Sequence, residues 1–280
     1  MEQNCSDVVT AILDGFLECA ERLIEEGADP NVVDELGRAP LHLAAQFGYR
    51  GMVKLLLDYG ADPNLRDGRG RTALHYAVAS DNFIVMLLLQ SGANPDIADD
   101  SGETPLHVAA HIGNYDAVKL LLSHEKRLNV NVQDDRGRTP LHEAATWHHA
   151  STVWLLLLNG ADPNIRDNSG WTPLHKALLL MGPYMDVVKM LLEAGADPNA
   201  RTYHEGRTPL HMAVLHNDPR LVSLLLRYGG DPTIKDNYGK TPLDYAKERG
   251  KMKAAEALMK QLNAGAKPTS RRRAKRPLHA

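Results

Sequence analysis

The sequence predicts an all-α solenoid, a stack of antiparallel helix pairs joined by β-hairpin fingers. Two observations predict it. A heptapeptide motif returns along the chain as APLHLAA at 39, TALHYAV at 72, TPLHVAA at 104, TPLHEAA at 139, TPLHKAL at 172, TPLHMAV at 208 and TPLDYAK at 241, at intervals of 33, 32, 35, 33, 36 and 33 residues. Repetition with a period of roughly 20–50 residues marks stacked units in place of one central core. The second observation is composition. Hydrophobic residues make up 43% of the 280 residues but aromatics only 5%, so small aliphatics must do most of the packing, which suits thin layers of Ala and Leu.

Each element of a repeat has a local cause. The motif Thr (Thr104, Thr139, Thr172, Thr208, Thr241) is placed to cap a helix with its hydroxyl, and the following Pro suits the first helical position. Leu-His-x-Ala-Ala then makes a short inner helix whose alanines allow close approach. A second helix follows in VKLLLDYGADPN, VWLLLLNGADPN and VKMLLEAGADPN. Gly60, Gly92, Gly160, Gly195 and Gly229 fall where a left-handed C-terminal cap is wanted, with Pro three residues on. Segments such as DDRG and DNSG supply the tight turn of the expected hairpin. Residues 1–33 read as an N-terminal capping helix pair. Residues 34–262 read as seven repeats (34–66, 67–98, 99–133, 134–166, 167–202, 203–235 and 236–262), the last a Lys- and Glu-rich C-terminal cap. Residues 263–280 read as a basic disordered tail.

The motif and its spacing resemble the ankyrin repeat, and the resemblance covers about 1–262. It implies a protein-binding module that uses fingertips and inner helices, with no cofactor and no catalysis. The residues agree on catalysis: no phosphate-binding Gly-rich loop, HExxH, CxxC or nucleophile elbow is present. His42, His75, His107, His142, His175 and His211 are the motif histidines. One per repeat sets the rings about 10 Å apart, whereas zinc ligands converge to about 2 Å of the ion. The geometry therefore favours a structural role, each imidazole bonding the motif Thr and adjacent hairpin backbone, and no metal is expected.

Cys5 and Cys19 have no framework or ligand spacing and read as buried or idle thiols of a reducing compartment. No apolar run reaches the roughly 18 residues of a membrane span, and the polar N-terminus is unlike a signal peptide. The expected protein is intracellular and cytoplasmic, nuclear if its tail is an import signal, with no membrane partner, and monomeric.

The partner-binding candidates are the residues that break the pattern. All three tryptophans, Trp147, Trp154 and Trp171, lie between 147 and 171. Trp147 ends an inner helix, and Trp171 stands at a fingertip. The following repeat contributes Leu179, Leu180, Met181 and Tyr184 around a two-residue insertion. Either Trp147 and Trp171 form an apolar binding patch or the inserted turn folds over and buries Trp147 and Leu180. Trp154 and Leu158 fall on the opposite side. His111, Arg138 and Arg207 complete the set. Five of the seven residues preceding the motif are cationic (Arg38, Arg71, Arg138, Arg207 and Lys240), but nearby acids dilute any basic stripe. The tail carries six cations, among them Arg271, Arg272, Arg273, Lys275 and Arg276, and no acid; the net charge of −3 becomes −9 without it. RRRAKR resembles a nuclear import signal, and the tail is also the one weak nucleic-acid candidate, for which six phosphate contacts would give a log–log salt slope near about −5.

Overall fold

The computed structural model describes residues 6–124, 128–180 and 184–263. These form eight successive helix pairs, in two compact units, Met1–Asp135 and Arg136–Ala280. The first unit holds α1 (Val8–Leu13), α2 (Leu17–Glu25), α3 (Pro40–Phe47), α4 (Arg50–Asp58), α5 (Ala73–Ser80), α6 (Asn82–Gln90), α7 (Pro105–Ile112) and α8 (Tyr115–His124). The second holds α9 (Pro140–Thr146), α10 (Ala150–Leu158), α11 (Pro173–Ala177), α12 (Tyr184–Glu193), α13 (Pro209–Ala213), α14 (Pro219–Arg227), α15 (Pro242–Glu248) and α16 (Met252–Asn263), with a 3-10 turn at Val214–His216 after α13.

Inner helices pack on inner helices (α3 on α5, α5 on α7, α9 on α11) and outer on outer (α4 on α6, α10 on α12, α12 on α14). The motif makes this possible. Leu41, Ala44 and Ala45, then Leu74, Ala77 and Val78, and likewise Leu141, Ala144 and Ala145, are all buried. The outer layer buries Val53 and Leu56, Val85 and Leu88, Val153 and Leu156. Alternating Ala and Leu leave no room for large rings, as the low aromatic content requires.

The connections depart from the expectation. Among the described residues there is no β-strand, so the β-hairpin fingers inferred from the sequence do not exist. The loops have another organiser, a buried aspartate. In Asp67-Gly-Arg-Gly-Arg71, Asp67 Oδ1 accepts the N–H of Arg69 at 2.8 Å and of Arg71 at 2.9 Å, and the Asp67 N–H donates to Arg71 O at 2.8 Å. Asp34, Asp99, Asp167 and Asp236 do the same in their loops. A side chain that takes two backbone donors leaves few for a ladder. Successive loops share a single backbone bond each, such as Gly68 N–H to Leu36 O and Tyr203 N–H to Ser169 O, both 2.9 Å. One bond per step does not make a sheet.

On the other side, the Asn of the GADPN turns bridges repeats. Asn164 Nδ2 donates to Gly195 O at 3.0 Å while its Oδ1 accepts the Asp197 N–H at 2.7 Å. Asn31, Asn64 and Asn199 do likewise. Cys19 stands in a disulfide, which overturns its reading as an idle thiol; Cys5 lies outside the described residues.

Asp167 is buried and also holds Lys176 Nζ at 2.8 Å. Asp167→Ala should therefore cost about 2–4 kcal/mol, since two backbone donors and an ammonium lose their acceptor. Exposed Asp62 accepts the Asn64 N–H at 2.8 Å, and Asp62→Ala should cost below about 1 kcal/mol. Urea midpoints of the two variants measure the difference.

Candidate functional site

The motif histidines are buried, and His42, His75, His142, His175 and His211 are bonded at both nitrogens. His75 Nδ1 accepts the Thr72 N–H and lies 3.0 Å from Thr72 Oγ1, while Nε2 lies 3.0 Å from Glu103 O in the next loop. His142 reaches Trp171 O at 3.0 Å, His175 reaches Arg207 O at 3.2 Å and His211 reaches Lys240 O at 3.0 Å. A ring nitrogen that accepts a backbone N–H is unprotonated, so Nε2 carries the hydrogen and donates it. The threonine hydroxyl therefore gives its hydrogen to the imidazole, and the imidazole takes the helix-entry N–H. Where Asp244 replaces His, Thr241 Oγ1 accepts the Asp244 N–H at 3.3 Å, as the sequence suggested for every repeat. Among the described residues no group of His, Cys, Asp and Glu is arranged to hold a metal.

Burial disfavours the charged ring. It pulls His75, His142 and His175 down to about 4, and lowers His42 and His211.

The second unit gathers most of the partner-binding candidates. Trp147 is the C-terminal cap of α9 and is 48% exposed; Leu179 and Leu180, just past α11, are 49% and 36% exposed. Trp171 is half-buried. Its N–H donates to Asp167 Oδ1 at 2.9 Å, and its ring lies 5.2 Å from Lys176 Nζ and 6.0 Å from the His175 ring. Trp154 and Leu158, on α10, are 50% and 55% exposed.

His148 replaces the glycine that ends other inner helices. Its φ of 57° is left-handed, as at Gly48 and Gly113. A non-glycine residue there costs on the order of 1 kcal/mol. The imidazole offsets this, since Nε2 lies 2.9 Å from the terminal carbonyl of α11, Ala177 O. From the other neighbour, His216 Nε2 lies 2.8 Å from Leu178 O. The crowded aromatics and imidazoles of ATWHHASTVW are thus divided between an exposed indole and a helix-end clamp.

A cleft of about 200 Å³ opens beside this clamp, walled by Trp171, Leu178, Leu179, Met212 and Leu215, with Glu205 and Arg207 at its rim. Sequence reasoning named Trp171, Leu179 and Arg207 but missed Met212, Leu215 and His216. The available signal was the pair of length changes, two residues in the turn between α11 and α12 and one in the loop after α12.

The remaining candidates fall elsewhere. Met181 lies outside the described residues, and so do Arg271, Arg272, Arg273, Lys275 and Arg276. Tyr184 is the first residue of α12, and nothing more is described of it. His111 lies on α7 in the first unit. All five cations that precede the motif are ion-paired, Arg38 with Asp34, Arg71 with Asp99, Arg138 with Glu143, Arg207 with Glu205 and Lys240 with Glu248. A basic stripe is therefore neutralised along its length. Among the described residues no helix is long and apolar enough to cross a membrane.

A buried imidazole at the entry of six inner helices and a stack of helix pairs define a repeat-built interaction fold. The family profile described as ankyrin repeats (3 copies) matches residues 8–99, 81–167 and 182–272, and the chain belongs to that family. It is similar to a putative ankyrin repeat protein of Fowlpox virus (strain NVSL), 34% identical over 42% of this chain and 25% of that one. The putative ankyrin repeat protein YahD of Escherichia coli (strain K12) is 40% identical over 27% of this chain and 40% of its own length. The human 2-5A-dependent ribonuclease is 42% identical over 25% of this chain, and the match spans 9% of that enzyme. The chain thus spans less than half the length of these relatives. Among solved structures, the ankyrin repeat domain of Bcl-3, a member of the IkappaB protein family, superposes with a TM-score of 0.69 at 31% identity, over 80% of this chain and 100% of that domain. This is a non-catalytic fold typical of protein–protein interaction scaffolds and adaptors.

The lowered histidines set a pH window. Between about 6.5 and about 4 the unfolded chain binds protons that the folded chain refuses, so stability is complete above 6.5 and falls as pH drops toward 4. Each such histidine contributes a slope of up to roughly 1.4 kcal/mol per pH unit. Asp67, Asp167 and Asp236, held below their ordinary value by backbone and side-chain hydrogen bonds that outweigh burial, add a further loss only below about 3.8. Melting temperature is expected to fall steadily from pH 7 to 4.5; a flat profile would show the imidazoles free to protonate in the folded state.

Proposed function

We propose that this chain, a capping helix pair followed by seven repeats, is a monomeric intracellular adaptor that binds a partner protein through the loops and inner helices of residues 134–235. The observation that carries this reading is the exposed apolar cluster, Trp147, Leu179 and Leu180, at the place where an inner helix is shortest. The cations that precede the motif are ion-paired inside and outside this stretch, so apolar contact is left to carry the binding. Aromatic anchors dominate protein interfaces, and truncating one typically costs at least ~2 kcal/mol of affinity.

The basic tail supports a second reading, a nuclear or nucleic-acid-associated factor whose solenoid recruits the partner, because six cations stand against a remainder of −9. Removing 264–280 separates the two: if localisation and partner capture are both unchanged, the second reading fails.

For the first reading, Trp147→Ala with Leu180→Ala should reduce binding of an identified, purified partner by 30-fold or more, on the order of 2 kcal/mol. The urea midpoint should hardly move, since both side chains are exposed. Collapse of folding with binding retained would make these residues packing and place the site elsewhere.

A further inference from the structure

We propose that the cleft beside α11 is an anchor pocket for one large apolar side chain of a partner segment that carries a carboxylate directly next to it. The proposal rests on the protein-binding reading and gives it a chemistry.

The pocket has a structural cause. α3, α5 and α7 each run eight residues and α9 seven, and α13 is continued by the 3-10 turn Val214–His216, but α11 runs only five. An inner helix that stops nearly a turn early withdraws side chains from the space a longer helix fills, and Leu178, Leu179, Met212 and Leu215 wall what remains. It also leaves its last carbonyls without helical donors. His148 and His216 supply donors from both sides, to Ala177 O and Leu178 O, so the opening is held and does not collapse.

Size and chemistry select the occupant. At about 200 Å³ the cleft is smaller than the roughly 300–1,000 Å³ of small-molecule sites, so it suits a single side chain. Its floor is apolar, with Leu178 and Met212 buried. At the rim, Arg207 gives Nη1 to Glu205 at 3.1 Å and Nη2 to Tyr245 Oη at 3.4 Å, with its guanidinium 5.2 Å from the Tyr245 ring centre. A guanidinium has five N–H donors in one plane, and a fork already oriented by a ring and a carboxylate is well placed to take a second carboxylate. An apolar side chain in the cleft puts its neighbouring residue at this rim.

The test is selection from a displayed library of random dodecapeptides on the purified full chain. Recovered peptides are expected to pair Leu, Ile, Phe or Trp with an adjacent Asp or Glu. A labelled synthetic copy should lose at least roughly tenfold in affinity with Leu179→Arg, a substitution at an exposed rim position. Arg207→Gln should cost roughly tenfold for that peptide but little for its Asp→Asn or Glu→Gln version, the coupling expected of a direct charge contact. Circular dichroism melts check that each variant folds; should Arg207→Gln unfold, Arg207→Lys, which keeps charge but not the fork, replaces it with the same expected loss. Recovery of no peptide, of peptides without the pair, or of peptides indifferent to both variants would overturn the pocket. Loss of partner capture with Trp147→Ala but not Leu179→Arg would remove the pocket and leave the protein-binding reading standing. Capture indifferent to both would remove both.

Discussion

Five repeats are closed by an imidazole that belongs to two repeats at once, His42, His75, His142, His175 and His211. Through Nδ1 it accepts the N–H at the entry of its own inner helix, and through Nε2 it donates to a carbonyl in the following loop. Neither end has another donor or acceptor within the helix, and both are removed from water. The ring must be neutral and in one tautomer, which is why burial and the two bonds reinforce each other. The stacking of helix pairs and the spacing of loops rest on this group, and so does the expected loss of stability on acidification.

A second set of polar groups fixes the loops. Asp67, Asp99, Asp167 and Asp236 fold their loops upon themselves, Thr202 does so in its own, and asparagines on the opposite side join one turn to the next. With the loops held by side chains, their backbones have no need of a ladder, and the helices remain the only regular elements described. The arrangement is modular, since each bond spans no more than one neighbour. A local change in length is therefore absorbed locally, and the helix pairs on either side keep their packing.

Function follows from that tolerance. Where the pattern is regular, the loop face is a row of satisfied ion pairs. Where two residues are inserted after α11, the helix shortens, its terminal carbonyls need outside donors, and apolar side chains are left uncovered. Trp147, Leu179 and Leu180 lie there, near the cleft walled by Leu178, Leu179, Met212 and Leu215. The ankyrin-repeat fold is typical of interaction scaffolds, and in this chain the irregular repeat exposes Trp147, Leu179 and Leu180.

The sequence by itself determined the repeat, its helix pairs, the buried core positions and the partnership of motif Thr and His, because each depends on residues three or four apart or on a period counted along the chain. It misled on the loops. DDRG and DNSG look like hairpin turns, and only the folded loop has Asp Oδ1 taking the two N–H groups a ladder needs. It gave only half of the helix entry, since the Thr N–H and hydroxyl both turn to the imidazole Nδ1, and the tautomer that allows this depends on the carbonyl that the next repeat presents to Nε2. Trp147 and Leu180 were left between exposure and burial for the same reason. Accessibility, the His148 and His216 clamp and the cleft are set by groups roughly one repeat apart, between about 29 and 38 residues along the chain. Only stacking brings these together, and no local pattern records which side chain will meet which carbonyl.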